Sequence, residues 1–273
     1  MPDARAPASF RSAGEVRGLK PAAYGFMVFL YLPIAILILY SFNSGSLVMV
    51  WSGFGLNWYA KAFANGDIQR AAFNSLIVAT VATAMATVIA TLAALVMTRG
   101  GAFRGRGASL TMISLPLMVP EIVTAVAMLI VFAGTGLSLG LGNVIIAHVT
   151  FCIPFAFMPI RARLEGMDTT LEQASADLYG SDWATFRYVT LPILMPGILA
   201  GAMLSFVISL DDFIITMMVA GAGSTTLPVY IYSMIRQGVT PEVNAVSSLL
   251  LLASVLLVTL YWLITREREA GTT

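Results

Sequence analysis

"RARLEGMDTTLEQASADLYGSDWATFRYVTLPILMPG" (161–197) separates two long apolar runs and is too patterned to be a plain linker. Thr169-x-x-Glu172 is a capping-box spacing and predicts the start of a short helix. Gly180 is placed to end that helix, and Ser181 can cap a second one opening at Asp182. Leu191-Pro192 is expected to stop the second helix, with Pro196 near the start of the next apolar run. Two short helices joined by a sharp turn suggest a docking element.

The runs on either side belong in a membrane. Of 273 residues, 58% are hydrophobic and 11% charged, with a mean hydropathy of +0.87; soluble domains carry roughly 25% charged residues. A membrane-crossing helix needs about 20 apolar residues. Six segments qualify: 21–42, 71–98, 109–133, 141–163, 195–220 and 241–265. They are long and continuous, which favours helices over the short alternating strands of a barrel. The first lacks a small-residue cleavage site near its end and reads as a retained span rather than a signal peptide. Residues 1–20 and 266–273 read as polar tails around one membrane domain over 21–265. Twelve Lys and Arg fall in the two tails, the 99–108 loop and the 161–194 segment; Lys61, Arg70 and Arg236 fall on the opposite side. The positive-inside rule then places both termini and the 161–194 segment in the cytoplasm.

Within the spans, three carboxylates stand away from the ends: Glu121, Asp211 and Asp212. Each costs roughly 2.5–3.5 kcal/mol near a helix centre, so the pair in "LSFVISLDDFIITMMV" (204–219) costs about 5–7 kcal/mol. The thirteen Leu, Ile, Val and Phe residues of 193–220 about cancel that, so the fifth span is expected to be shielded by neighbours. On a continuous helix, Ser205, Ser209, Asp212 and Thr216 fall within an arc of about 60°. That stripe suits a water-filled path or a hydrogen-bonded seam between helices. Asp211 lies about 100° away, on a packing face with Leu204, Ile208, Ile215 and Met218. Pro116 and Pro120 predict a kink in the third span, with Ser114, Glu121 and Thr124 on one broad face. No Lys or Arg lies mid-span to neutralise these acids. An incoming cation with ammonium groups spaced by methylenes would suit them; acids hydrogen-bonded between helices are the alternative. His148 is expected to make a structural hydrogen bond, and the single Cys152 to pack as a small hydrophobe. Trp58, in the first external loop, either sits at the membrane interface or touches substrate. "LPVYIYSMIRQG" (227–238) predicts a short external helix, and Thr240-Pro241-Glu242 the start of the sixth span.

The 161–197 stretch resembles the EAA loop of ABC-importer permeases, whose pattern is E-A-A-x3-G-x9-I-x-L-P. Counted back from Leu191-Pro192, Val189 takes the Ile slot, Tyr179 the Gly slot, and Gln173-Ala174-Ser175 the E-A-A slots; Glu172 and Gly180 each sit one residue from the matching place. "SLDDFIITMMVAGAGSTTLPVYIYSMIRQGVTPEVNA" (209–245) is similar to the corresponding region of spermidine/putrescine permeases, as are "SFNSG" (41–45), "LNWY" (56–59), "PEIV" (120–123) and "HVTFCIPF" (148–155). The resemblance implies a type I importer permease, all-α with six transmembrane helices, in a bacterial inner membrane. It implies a heterodimer with a second permease, two ATPase subunits carrying ATP and Mg, and an external solute-binding protein. It implies coupling to the ATPase through about 164–194, with Glu172, Gln173, Ala174, Gly180, Asp182, Leu191 and Pro192 as contact candidates. Asp212, Glu121, Asp211, Ser209 and Trp58 are the substrate-path candidates. Permeases for opines, other amines or ferric iron remain alternatives.

The chain contains no G-x-x-x-x-G-K-[ST] loop, so a partner would have to supply ATP hydrolysis. The net charge of +1 says nothing about nucleic acid or acidic partners; no nucleic-acid partner is expected. An ion-coupled secondary transporter is the rival class, and an inverted repeat would favour it; none is visible. One His and one Cys inside a single apolar span argue against a membrane enzyme.

Overall fold

A computed structural model describes residues 19–48, 50–138 and 140–270; the basic residues Arg5, Arg11 and Arg17 lie outside this range. Among the described residues the fold is helical, with one isolated β-bridge between Asn43 and Phe54. The helices are α1 Leu19–Ser41, α2 Asn57–Ala64, α3 Gly66–Arg99, α4 Arg106–Met118, α5 Glu121–Thr135, α6 Leu141–Glu165, α7 Thr170–Asp177, α8 Asp182–Thr185, α9 Leu191–Asp211, α10 Ile214–Val219, α11 Leu227–Gln237 and α12 Pro241–Ala270. Five helical runs are long and apolar enough to cross a membrane, and the bent pair α4 and α5 makes a sixth if counted as one span. The expected short helix at 227–238 and the start of the sixth span at Pro241 are both present. The helix α12 runs on to Ala270, so most of the expected polar tail at 266–273 is helical.

The chain forms two compact units. One comprises the residues up to Ala62 together with Val239–Ser248; the other comprises Phe63–Gly238 and the residues from Leu249 onward. In the second unit, α3, α6 and α9 pack on one another. The buried face of α3 recurs every three or four residues and is made of small side chains: Ala71, Ser75, Ala79, Ala82, Ala86, Ala90 and Ala94. Small residues let helix backbones approach closely, which is how membrane helices gain packing energy when lipid is as apolar as the interface. On α9, Gly197 and Gly201 do the same toward α6. A Cβ on Gly201 would lie 2.6 Å from the Ala156 carbonyl oxygen, and one on Gly197 would lie 2.6 Å from Arg163 Cβ. One apolar cluster surrounds Phe157, Ile160, Leu164 and Leu194; a second surrounds Val144, Phe151, Ala125 and Ile215.

Three sequence expectations are corrected here. The third span does not merely kink: α4 and α5 meet at 111°. Val119 is extended, as steric conflict with a following proline demands, and Pro120 has no N–H to carry the helix onward. Ser114 therefore shares no helix face with Glu121 and Thr124. The fifth span is broken at Asp212, where the backbone is extended before α10 begins. And Leu191-Pro192 does not stop the second short helix. Residues Phe186–Thr190 widen into a π-helical turn, the Leu191 N–H bonds back to Phe186, and the helix continues from Asp182 to Asp211. A wider turn absorbs the donor that Pro192 lacks.

Candidate functional site

The break at Asp212 organises the candidate site. Because the chain leaves the helix there, the Asp212 carboxylate folds back over the start of α10. It accepts from the backbone N–H of Thr216 (3.0 Å) and of Ile215 (3.4 Å), and from the Thr216 hydroxyl (3.1 Å). This is an N-cap arrangement, satisfying helix donors that would otherwise be orphaned in the membrane. His148 of α6 lies opposite. Its Nε2 is 3.2 Å from Asp212 Oδ1 and 2.9 Å from Thr216 Oγ1, and its Nδ1 is 2.7 Å from Ser209 Oγ. One neutral tautomer satisfies every contact: Nε2–H donates to Asp212 and Thr216, and the Ser209 hydroxyl donates to Nδ1. One turn away, the Ser205 hydroxyl donates to the Cys152 carbonyl at 3.2 Å. Glu121, the first residue of α5, interacts electrostatically with the Asp212 carboxyl. The ends of two interrupted spans therefore meet at one carboxyl pair.

Helical-wheel arithmetic placed Asp211 on a packing face and left the Asp212 stripe suited to a water path or a seam. The structure makes it a seam: Ser205, Ser209, Asp212 and Thr216 are all buried, with Asp212 at 7% exposure. Asp211 is exposed, and its nearest partner is the Ser254 hydroxyl of α12 at 3.4 Å. Asp211 thus faces a neighbouring helix, as its packing side implied, but stays exposed there. The wheel assumes an unbroken helix, and the chain breaks at that point. His148 takes the structural hydrogen-bonding role expected of it, and Cys152 is buried. Trp58 belongs to the other compact unit. Its indole N–H donates to the Gly45 carbonyl at 3.1 Å, and Lys61 Nζ stands 5.0 Å over its ring. Lys61 also pairs with Glu242 at 2.9 Å, an acid at the start of α12 that is 6% exposed and for which the sequence suggested no partner.

The 161–197 segment forms the expected pair of short helices, with different caps. Thr169 makes no side-chain cap; Asp168 accepts from the Thr170 N–H at 2.9 Å instead. That bond holds the Asp168 carboxyl below the usual carboxylate range. Glu172, freed from the capping box, turns inward. It pairs with Arg99 at the end of α3 (2.9 Å) and accepts from the Thr190 hydroxyl (2.8 Å). Ser181 does cap α8, accepting from the Ala184 N–H. Gly180 does not supply the left-handed residue that ends α7. Tyr179 does, at φ 59°. The Tyr179 N–H bonds to the Ala176 carbonyl and the Gly180 N–H to the Ser175 carbonyl, which is a Schellman closure. Gly180 is needed for close approach, since its Cβ would lie 2.7 Å from the Ser175 carbonyl oxygen. Gln173, Ala174 and Asp182 are exposed, Leu191 is half-buried and Pro192 exposed. Arg99 and Thr190 carried no signal in the sequence; Gly197-x-x-x-Gly201 did, as a spacing of small residues on an apolar helix.

Comparison with known proteins fits this architecture. Residues 86–267 match the family described as binding-protein-dependent transport system inner membrane component. The spermidine/putrescine transport system permease protein PotC of Haemophilus influenzae is 40% identical over 249 residues, covering 90% of this chain and 96% of that protein. The putrescine transport system permease protein PotI of Escherichia coli is 38% identical over 229 residues, covering 82% of each. Among solved structures, a bacterial ABC transporter that imports the acidic polysaccharide alginate superposes with a TM-score of 0.71 at 16% identity, over 91% of this chain and 93% of that one. The MetNI methionine ABC transporter superposes with a TM-score of 0.62 at 21% identity, over 72% and 94%. At these identities the structures speak for the fold alone. The fold, the broken helices around the acid pair and the match over 86–267 lead to one conclusion: the chain belongs to the binding-protein-dependent transport system inner membrane component family.

Proposed function

We propose that the chain is a permease subunit of an ATP-driven importer that carries a polyamine inward across the bacterial inner membrane. The observation that carries this reading is the 38–40% identity to spermidine/putrescine permeases over most of both chains. The mid-membrane acids support it. Asp211 is exposed on a membrane-crossing helix, with no Lys or Arg in the surrounding apolar run 193–220 to neutralise it. An exposed carboxylate in that position is unfavourable unless it meets water, a partner helix or a cation. In this reading Asp211 meets the passing ammonium group, and Asp212, Glu121 and Ser209 hold the path's shape. Trp58 contributes an aromatic face on the external side.

The chain works with a second permease, two ATPase subunits that bind ATP and Mg, and an external solute-binding protein. Both termini and the 161–194 segment face the cytoplasm, as the Lys and Arg distribution requires. Glu172 ties that segment to α3, so that motion of the ATPase reaches the helix core. The test is reconstitution with the cognate partners, following uptake and ATP hydrolysis. Polyamine-stimulated hydrolysis is expected. Stimulation by another solute and by no polyamine would overturn the substrate, and uptake by this chain alone under an ion gradient would overturn the importer class.

A further inference from the structure

The turn between α7 and α8 keeps its shape against its own sequence. Among the described residues other than glycine, Tyr179 alone has a positive φ. There its Cβ crowds the backbone, a cost that glycine does not bear. Nothing inside the chain returns that cost, because the side chain is 99% exposed. Leu178 beside it is 82% exposed and Trp183 70% exposed, the latter steadied by ring contact with Phe186 at 5.7 Å. Asp177 and Asp182 flank the turn, both exposed, while Glu172 is turned inward to Arg99. A strained, fully presented aromatic residue has its use outside the chain.

We infer that Tyr179, set with Leu178 and Trp183 between Asp177 and Asp182, is the anchor by which this permease selects its own ATPase subunit. Its phenol enters a cleft on that subunit with an apolar floor and a basic rim. The inference rests on the coupling reading above. Tyr and Trp dominate the few residues that carry interface energy, and they act from desolvated pockets. The two flanking aspartates select a basic rim by charge complementarity. A lipid surface also receives Tyr and Trp, but the cytoplasmic leaflet is anionic and repels those aspartates.

The test uses the complete reconstituted complex with wild type, Tyr179→Gly, Tyr179→Phe and the charge reversal Asp177→Lys/Asp182→Lys. Glycine relaxes the backbone, so Tyr179→Gly is expected to fold and to keep or raise the thermal midpoint. It is nonetheless expected to weaken capture of the ATPase by about tenfold or more and to lower substrate-stimulated hydrolysis. Tyr179→Phe retains most of the capture, and the charge reversal weakens it. A merely structural turn predicts the opposite for glycine: equal or better capture. Wild-type capture by Tyr179→Gly overturns the inference. So does a change in binding to anionic lipid vesicles with ATPase capture unaltered. A wild-type permease pair that captures no ATPase overturns the coupling reading as well.

Discussion

The two adjacent aspartates should separate cleanly when each is changed to asparagine. Asp212 takes backbone and hydroxyl donors from Ile215 and Thr216 and faces His148. Asparagine keeps one carbonyl oxygen, which can stay on Thr216. Its amide NH2 then replaces Oδ2 and meets the Ile215 N–H, donor against donor. A buried donor left without an acceptor costs about 1–3 kcal/mol, and the remaining bonds lose the extra strength a charged acceptor gives them. Together these come to about 2–4 kcal/mol. At about 2–4 °C per kcal/mol for a chain of this size, the thermal midpoint of the purified complex should fall by at least about 4 °C. Asp211 is exposed and holds one long bond from Ser254, so Asp211→Asn should leave stability within about 0.5 kcal/mol. Its effect should appear instead in polyamine uptake per assembled complex, expected to drop about tenfold. A wild-type midpoint for Asp212→Asn would refute the capping account, and wild-type uptake for Asp211→Asn would remove Asp211 from the path.

Gly201→Ala puts a methyl against the Ala156 carbonyl and Gly197→Ala puts one against Arg163 Cβ, which is fixed to its backbone, so each should cost about 1–3 kcal/mol. A wild-type thermal midpoint for either variant would contradict the close approach of α9 and α6. Arg99→Met should loosen the coupling segment while leaving the midpoint of the core nearly unchanged. Amide hydrogen exchange over 170–177 should speed about fivefold, the equivalent of about 1 kcal/mol for a partly buried pair. Glu172→Gln should do the same, and the double variant should add little more, because both changes remove one interaction. Fully additive rates would show that Arg99 and Glu172 act separately.

Much of this architecture is legible in the residues. Long apolar runs locate the spans, Pro241 opens α12, and Ser181 caps α8 as its position suggests. The misplaced pieces share a cause. The wheel for 204–219 presumed a continuous helix, yet Asp212 stands where a capping residue would, three and four residues ahead of the N–H groups it accepts. An aspartate's preference for helix starts was as readable as its charge, but the apolar run around it hid the break. Val119-Pro120 carried a similar warning about the third span. The left-handed turn at Tyr179 was reachable through spacing alone, since the EAA pattern puts glycine in that slot. No local rule would assign it to tyrosine. Arg99–Glu172 and Lys61–Glu242 join residues far apart in sequence, and pairs of that kind are invisible without the fold.

The π-helical turn at Phe186–Thr190 has a mechanical consequence. Through it, the α7–α8 segment and the aspartate pair become the two ends of one rod, Asp182–Asp211, about 45 Å long at the helical rise per residue. Along the rod the regular ladder changes at that turn, close to the Asp182 end. A push on Trp183 therefore arrives at Asp211 as a shift of the whole shaft. The slack lies beyond its far tip, where Asp212 leaves the helix and the chain can pivot without unwinding the core.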